Sequence, residues 1–320
     1  MKFKFVLLTL LSLSLSVNAQ SAKKKKQVED IANKIAASIE ENNEEFLTDI
    51  FDLKAFSERI LINGPSPDLQ RFNKGFLTGI SKRPLLSTLL LEKVVASGAD
   101  YEFLRVYFDK KDPHIVFRLF GEDGINYHDF LLQKVKGKYK IIDMYFYLSG
   151  EYLSATYQRL YIMTGKQHFD ASQTAGMSDL TLEDLTKVST ARGLVQQGEY
   201  EAARDLIEGM NEGVRNEKLF KILELQIKSN LSDEGYLEAI EDYKRVFPDD
   251  PSVDLVSLDL LLLNEKFIEA HEAIDNLNKR VGGDTFLDFY HASIYYAQSD
   301  FKKAEKLFLR FISNHPNNED

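Results

Sequence analysis

The chain has 320 residues, a formal net charge of −10 and no cysteine. The missing cysteine excludes disulfides, thiolate metal sites, cysteine nucleophiles and acylated lipid anchors. The acidity disfavours general nucleic-acid binding, and the length suits two domains.

Met1–Ala19 has the pattern of an export signal. Lys2 and Lys4 give the positive start, Phe5–Val17 an apolar core of thirteen residues, and Val17 and Ala19 the small residues at −3 and −1 of a cleavage site. A spanning helix needs about 20 apolar residues, so no transmembrane segment is expected in the mature chain. Cleavage before Gln20 would remove two lysines and take the net charge from −10 to −12. The product is expected to be soluble, in the periplasm or secreted. Lys23–Lys26 then lead as a solvated basic run into the first helix.

Val28, Ile31, Ile35 and Ile39 fall on one helical face. A second helical stretch carries Phe46 to Ile60, Gly64-Pro65-Ser66-Pro67 breaks it, and a third runs from Leu69 to Val95. The period then changes to two. Tyr101–Phe108, His114–Phe120, Ile125–Val135 and Tyr139–Leu148 read as four strands joined by tight turns, an antiparallel meander. A turn at Lys136-Gly137 pairs Val135 with Lys138 and sets His128 opposite Tyr145 and Phe130 opposite Asp143. The expected N-terminal fold is α+β, helices packed on a four-stranded sheet. This element order, over roughly Gln27–Leu148, resembles the ketosteroid-isomerase-like (nuclear transport factor 2-like) cone, a fold that hosts both enzymes and binding domains. Ser149–Gly165 reads as a further helix and 166–178 as the connection between domains.

Thr181 is an N-cap, and from there an aromatic precedes an alanine by three residues four times. The pairs are Tyr200/Ala203, Tyr236/Ala239, Phe267/Ala270 and Phe301/Ala304, with the alanines 36, 31 and 34 residues apart. Such a period marks stacked helical hairpins, since one hairpin cannot bury its own apolar face. The pattern resembles the tetratricopeptide repeat family. Ala292, Tyr295, Phe301, Ala304, Phe308 and Pro316 carry the fullest match, and a longer loop is expected at Asn230–Glu234 in the second hairpin. The resemblance implies an all-α helical-hairpin solenoid over 181–320. Its concave groove would present Val188, Arg192, Val195, Lys221, Leu255, Asp259, Leu262, Phe289, Ser293 and Tyr296. The family's chaperone-tail clamp needs asparagines there, and Arg192, Asp259 and Ser293 stand in their place. Leu309 and Ile312 add an apolar patch on the last helix, suited to a partner or to self-association.

The domains expected are thus a signal at 1–19, an α+β cone at 20–148, a helix and linker at 149–180 and four repeats at 181–320. No phosphate loop, dinucleotide glycine motif or nucleophile elbow occurs, and no two of the six histidines have i, i+4 spacing. No metal and no cofactor is expected. His128, Asp143 and Tyr145 share an otherwise apolar strand face and are the weak catalytic candidates. The function expected is non-catalytic protein or peptide binding in the cell envelope. The alternative is a small-ligand binder or acid/base enzyme in the cone, with the repeats as a docking arm.

Overall fold

A computed structural model describes residues 2–95, 98–121, 124–169, 173, 180–248 and 250–316, with side chains from Ser21 onward except at Lys93, Asp259 and Leu260. The chain divides into two compact units, Met1–Leu53 with Arg83–Asp143, and Lys54–Lys82 with Met144–Asp320.

The first unit opens with α1 (Lys2–Glu40), α2 (Glu44–Ile50) and the start of α3 (Leu53–Glu58). On α1, Val28, Ala32, Ile35 and Ile39 are buried and Ile31 is half-buried, while Lys23–Lys26 stay exposed. The stretch expected as one helix over Phe46–Ile60 is two. Phe51 is extended at φ −87°, ψ 125°, and pairs as an isolated parallel bridge with Ile141. Asp52 N–H donates to the Ile141 carbonyl at 2.8 Å, so a sheet bond replaces a helical one.

The expected helix over Leu69–Val95 is also divided. Ser66 caps α4 (Pro67–Ile80), with Pro67 in the first turn, where its missing N–H costs nothing. Pro84 then caps the short α5 (Leu85–Ser87), which continues into a π-helical turn, Thr88–Val95.

The strands are β1 (Asp100–Asp109), β2 (Asp112–Gly121), β3 (Gly124–Val135), β4 (Lys138–Phe146) and β5 (Glu151–Tyr152). They form one antiparallel sheet in the order β1-β2-β3-β4-β5, five strands where the alternation predicts four. A two-residue strand shows no period. It is made by a turn in which Gly150 takes φ +65°, returning the chain so that Tyr145 pairs with Tyr152. In the first unit, α1 packs on β1 and β2. Phe117 pairs with His128 and Ile115 with Phe130, and all four are buried.

In the second unit, α6 (Leu153–Gly165) starts later than expected because Glu151 and Tyr152 belong to the sheet. Tyr161 is fully buried, accepts from Ile62 N–H at 3.4 Å and donates to Asn73 Oδ1 at 2.6 Å. A 3₁₀ turn follows at Lys166–His168, and most of the expected connection at 166–178 lies outside the described residues.

The remaining helices are α7 (Leu182–Gln196), α8 (Tyr200–Glu208), α9 (Glu212–Arg215), α10 (Lys218–Leu231), α11 (Asp233–Val246), α12 (Val253–Leu263), α13 (Phe267–Val281), α14 (Leu287–Ala297) and α15 (Phe301–Asn314). Thr181 caps α7 in a reciprocal capping box with Asp184. Helices pack as sequential pairs, α7 on α8, α10 on α11, α12 on α13 and α14 on α15. The pairs are joined through α8 on α10, α11 on α12 and α13 on α14. Ala191, Ala203, Ala239, Ala270, Ala292 and Ala304 are all buried, as close helix crossings require. The loop expected at Asn230–Glu234 is absent. Ser232 alone separates α10 from α11, ending the one in extended backbone and capping the other by accepting from Gly235 N–H. Among the described residues no helix is long and apolar enough to cross a membrane.

Candidate functional site

The open aromatic surface is on α14. Phe289, Ser293 and Tyr296 are spaced i, i+4 and i+7, which puts them on one helix face. Phe289 is 38% exposed and Tyr296 62%. Ser293 is half-buried and returns its hydroxyl to the Phe289 carbonyl at 2.8 Å. Phe289 is braced from behind by Phe311 of α15, ring centroids 5.4 Å apart, and Tyr296 meets the exposed ring of Phe301 edge-on at 5.4 Å. A ring fixed on one side and bare on the other loses little entropy when it is covered.

The other expected groove positions divide. Arg192 is exposed and Leu262 half-buried. Val188 and Val195 belong to a buried cluster with Ala191, Ala203, Ile207 and Phe220, and Leu255 is buried too. The Asp259 side chain lies outside those described. On α15, Leu309 and Ile312 are 61% and 45% exposed, while Phe311, between them in the chain, is buried.

Lys221 is buried and reaches no groove. Its Nζ lies 2.9 Å from Glu224 Oε2 and 2.5 Å from Asp242 Oδ2. Burial pushes the Glu224 carboxyl up, but Lys221 and Lys228 outweigh that and hold it below the usual range. Asp242 is lowered in the same way against its own burial, by Lys221 and Arg245. This is a closed ion cluster locking α10 to α11. No sequence spacing marks it, since Lys221 and Asp242 meet only across the hairpin.

The sheet candidates are placed as follows. His128 is buried, and its Nδ1 shares a 3.0 Å hydrogen bond with the Tyr101 hydroxyl. Burial lowers its pKa to about 3. An imidazole that weakly basic is a poor general base at neutral pH. Asp143 is fully buried. In the second unit, the Tyr145 hydroxyl donates to Asp250 Oδ1 at 3.0 Å, and burial followed by that carboxylate raises its pKa. Asp250 also accepts from Ser252 N–H at 2.8 Å and pairs with Lys218, which completes a structural network.

The histidine–carboxylate pair seen directly in the sheet is a different one. His114 Nδ1–H donates to Asp129 Oδ1 at 2.8 Å, while the Tyr107 hydroxyl donates to the other oxygen. His114 and Tyr107 are register partners and their rings stack at 4.6 Å. All three point to the face opposite His128, because residues of opposite parity on one strand alternate. His114 and Asp129 are both buried. The signal was present in the β2–β3 register but not in the hydrophobicity of either strand.

No protein family, curated protein or solved structure matches the chain. Among the described residues there is no group of three or more His, Asp or Glu that could hold a metal ion. The open face of α14 offers aromatic surface and two hydroxyls, those of Ser293 and Tyr296, a set suited to recognition.

Proposed function

We propose that the chain is an exported, non-catalytic binding protein of the cell envelope. Its four helix pairs act as a tetratricopeptide-type stack that follows a cone-like α+β domain in the sequence. The observation that carries this reading is the Phe289–Ser293–Tyr296 stripe, two braced aromatic rings open to solvent on one face of α14. Such rings are the commonest anchors of protein interfaces. The partner expected is a peptide or amphipathic helix with apolar anchors, since the stripe holds no charge.

Capture of a discrete partner from the organism's own envelope fraction tests it. Phe289→Ala with Tyr296→Ala is expected to weaken capture at least tenfold, about 1.4 kcal/mol, while the melting transition keeps its cooperativity. Undiminished capture by this double variant would remove the stripe from the interface. Intact mass of the exported product tests the rest of the reading, with Gln20 expected as the first residue.

A further inference from the structure

His271 on α13 and His291 on α14 face each other, Nδ1 to Nδ1 at 2.7 Å. Their rings are tilted by 20° with centroids 4.9 Å apart. That separation is the N···N distance plus one ring radius at each end. The rings therefore lie edge to edge, nearly in one plane, in line for an N–H···N hydrogen bond.

Such a bond holds one proton between two lone pairs. The surroundings decide which ring supplies it. His291 Nε2 lies 3.5 Å from Asp275 Oδ1, so this nitrogen carries its hydrogen toward the carboxylate. The Nδ1 of His291 is then a bare acceptor and His271 Nδ1–H the donor. That leaves His271 Nε2 without a hydrogen, and this atom is buried with no hydrogen-bond partner among the described residues.

Both places for a further proton are therefore blocked. On His291 Nδ1 it would set two N–H groups against each other at 2.7 Å. On His271 Nε2 it would create a buried N–H with nothing to receive it, whichever ring then carries the charge across the shared bond. The neighbouring charges give little relief. Asp275 is 62% exposed and screened by water. Asp288 is already held by two nitrogens of Arg310. Lys303, over the Tyr295 ring that lies against His271, adds a positive charge.

We propose that the His271–His291 contact is a pH-sensitive latch, holding α14 and α15 on α13 at neutral pH and releasing them as the solution turns acidic. The direction follows from linkage. Burial, the larger cause for both rings, lowers each from the ordinary value of 6.5. A base whose folded pKa is depressed contributes its stability above the unfolded pKa, and that stability fades as pH falls below it. The window thus opens below about pH 6.5, well above the range where carboxylates titrate.

Hydrogen exchange of the full chain between pH 7 and pH 5, corrected for intrinsic rates, reads the latch. The opening equilibrium of α14–α15 amides is expected to rise up to about tenfold per pH unit for each proton taken up, while α7–α8 amides stay level. His271→Leu and His291→Gln, made separately, are each expected to flatten that dependence. Proton NMR of the wild-type imidazoles gives a readout that needs no variant, with both rings expected to titrate below 6.5. Equal protection of α14–α15 at both ends of the range, rings titrating at or above 6.5, or a variant keeping the wild-type slope would overturn the latch.

Discussion

His114 in the sheet and His271 in the helices are both ring donors, and they differ in what accepts from them. His114 gives Nδ1–H to Asp129, a carboxylate whose charge also holds Tyr107. Both oxygens of that carboxyl are taken, so the contact is closed from two sides. His271 gives Nδ1–H to another imidazole, and an added proton leaves a buried N–H with no acceptor. The same residue type is a rivet in one region and a sensor in the other. The acceptor decides which, and burial alone does not.

The contrast can be broken most sharply at Asp129. Asp129→Ala removes the acceptor of the buried His114 N–H and one acceptor of the half-buried Tyr107 hydroxyl. At about 1–3 kcal/mol for a buried unsatisfied group, a loss of about 2–3 kcal/mol is expected by denaturant titration at pH 7. A loss below 1 kcal/mol would show that water reaches both groups and that the rivet is loose.

His128 sharpens the comparison from within the sheet. It is buried beside the neutral hydroxyl of Tyr101 and stays uncharged down to about pH 3. Its stabilising share is complete above pH 6.5 and is lost on acidification at about 1.4 kcal/mol per pH unit. His128→Leu is expected to flatten the stability profile between pH 6 and pH 4.5 by roughly 2 kcal/mol relative to wild type. Identical slopes in the two proteins would mean that His128 protonates in the folded sheet. Because the His271–His291 latch falls in the same window, unfolding and local exchange have to be read side by side.

Lys221 is the helical counterpart of Asp129, a buried charge shared by two partners. Its removal is cushioned, since Glu224 keeps Lys228 at 3.2 Å. Lys221→Met is accordingly expected to cost about 1–2 kcal/mol without affecting partner capture. The depressed Glu224 and Asp242 carboxyls stabilise above their unfolded values of 4.5 and 3.8 and lose that share below them. The variant's deficit should therefore shrink as pH falls from 5 toward 3. A deficit that stays constant would assign Lys221's contribution to packing of its alkyl stem.

These contrasts also mark what the sequence could show. Alternation over Tyr101–Leu148 sufficed for four strands because one residue in two is apolar there, and the Phe–Ala and Tyr–Ala pairs fall in the second helix of each sequential pair. Periodicity reports the face of an element and is silent on its partner across space. Helix position therefore points Lys221 at the groove, while Asp242, which claims it, lies 21 residues on. Likewise His128 stands out in the sequence because it sits on an apolar face. The working pair His114–Asp129 needed the bulged β1–β2 register and a diagonal across β2–β3. His271 and His291 are 20 residues apart on different helices, and nothing in either helix announces the other. Short-range devices were equally hidden. Ser232 ends one helix and begins the next, and a two-residue β5 has no pattern to read.

The smallest effect is expected on the outer face of α15. Leu309 and Ile312 are well exposed, while Phe311 beside them packs against Phe286 at 5.1 Å. The helix is therefore held by its inner face, and charge on the outer one meets only water. Leu309→Glu with Ile312→Glu is expected to change stability by less than about 0.5 kcal/mol, the usual range for surface positions. Its consequence, if any, should appear in mass by light scattering. A parent larger than one chain and a monomeric variant would identify the face as the contact between two copies. Equal masses together with unchanged partner capture would show that these two side chains are isolated apolar positions of the ordinary kind, which folded proteins expose without functional meaning. A loss above 1 kcal/mol would contradict the exposure of the face itself, because only a covered leucine or isoleucine resists a charge that strongly.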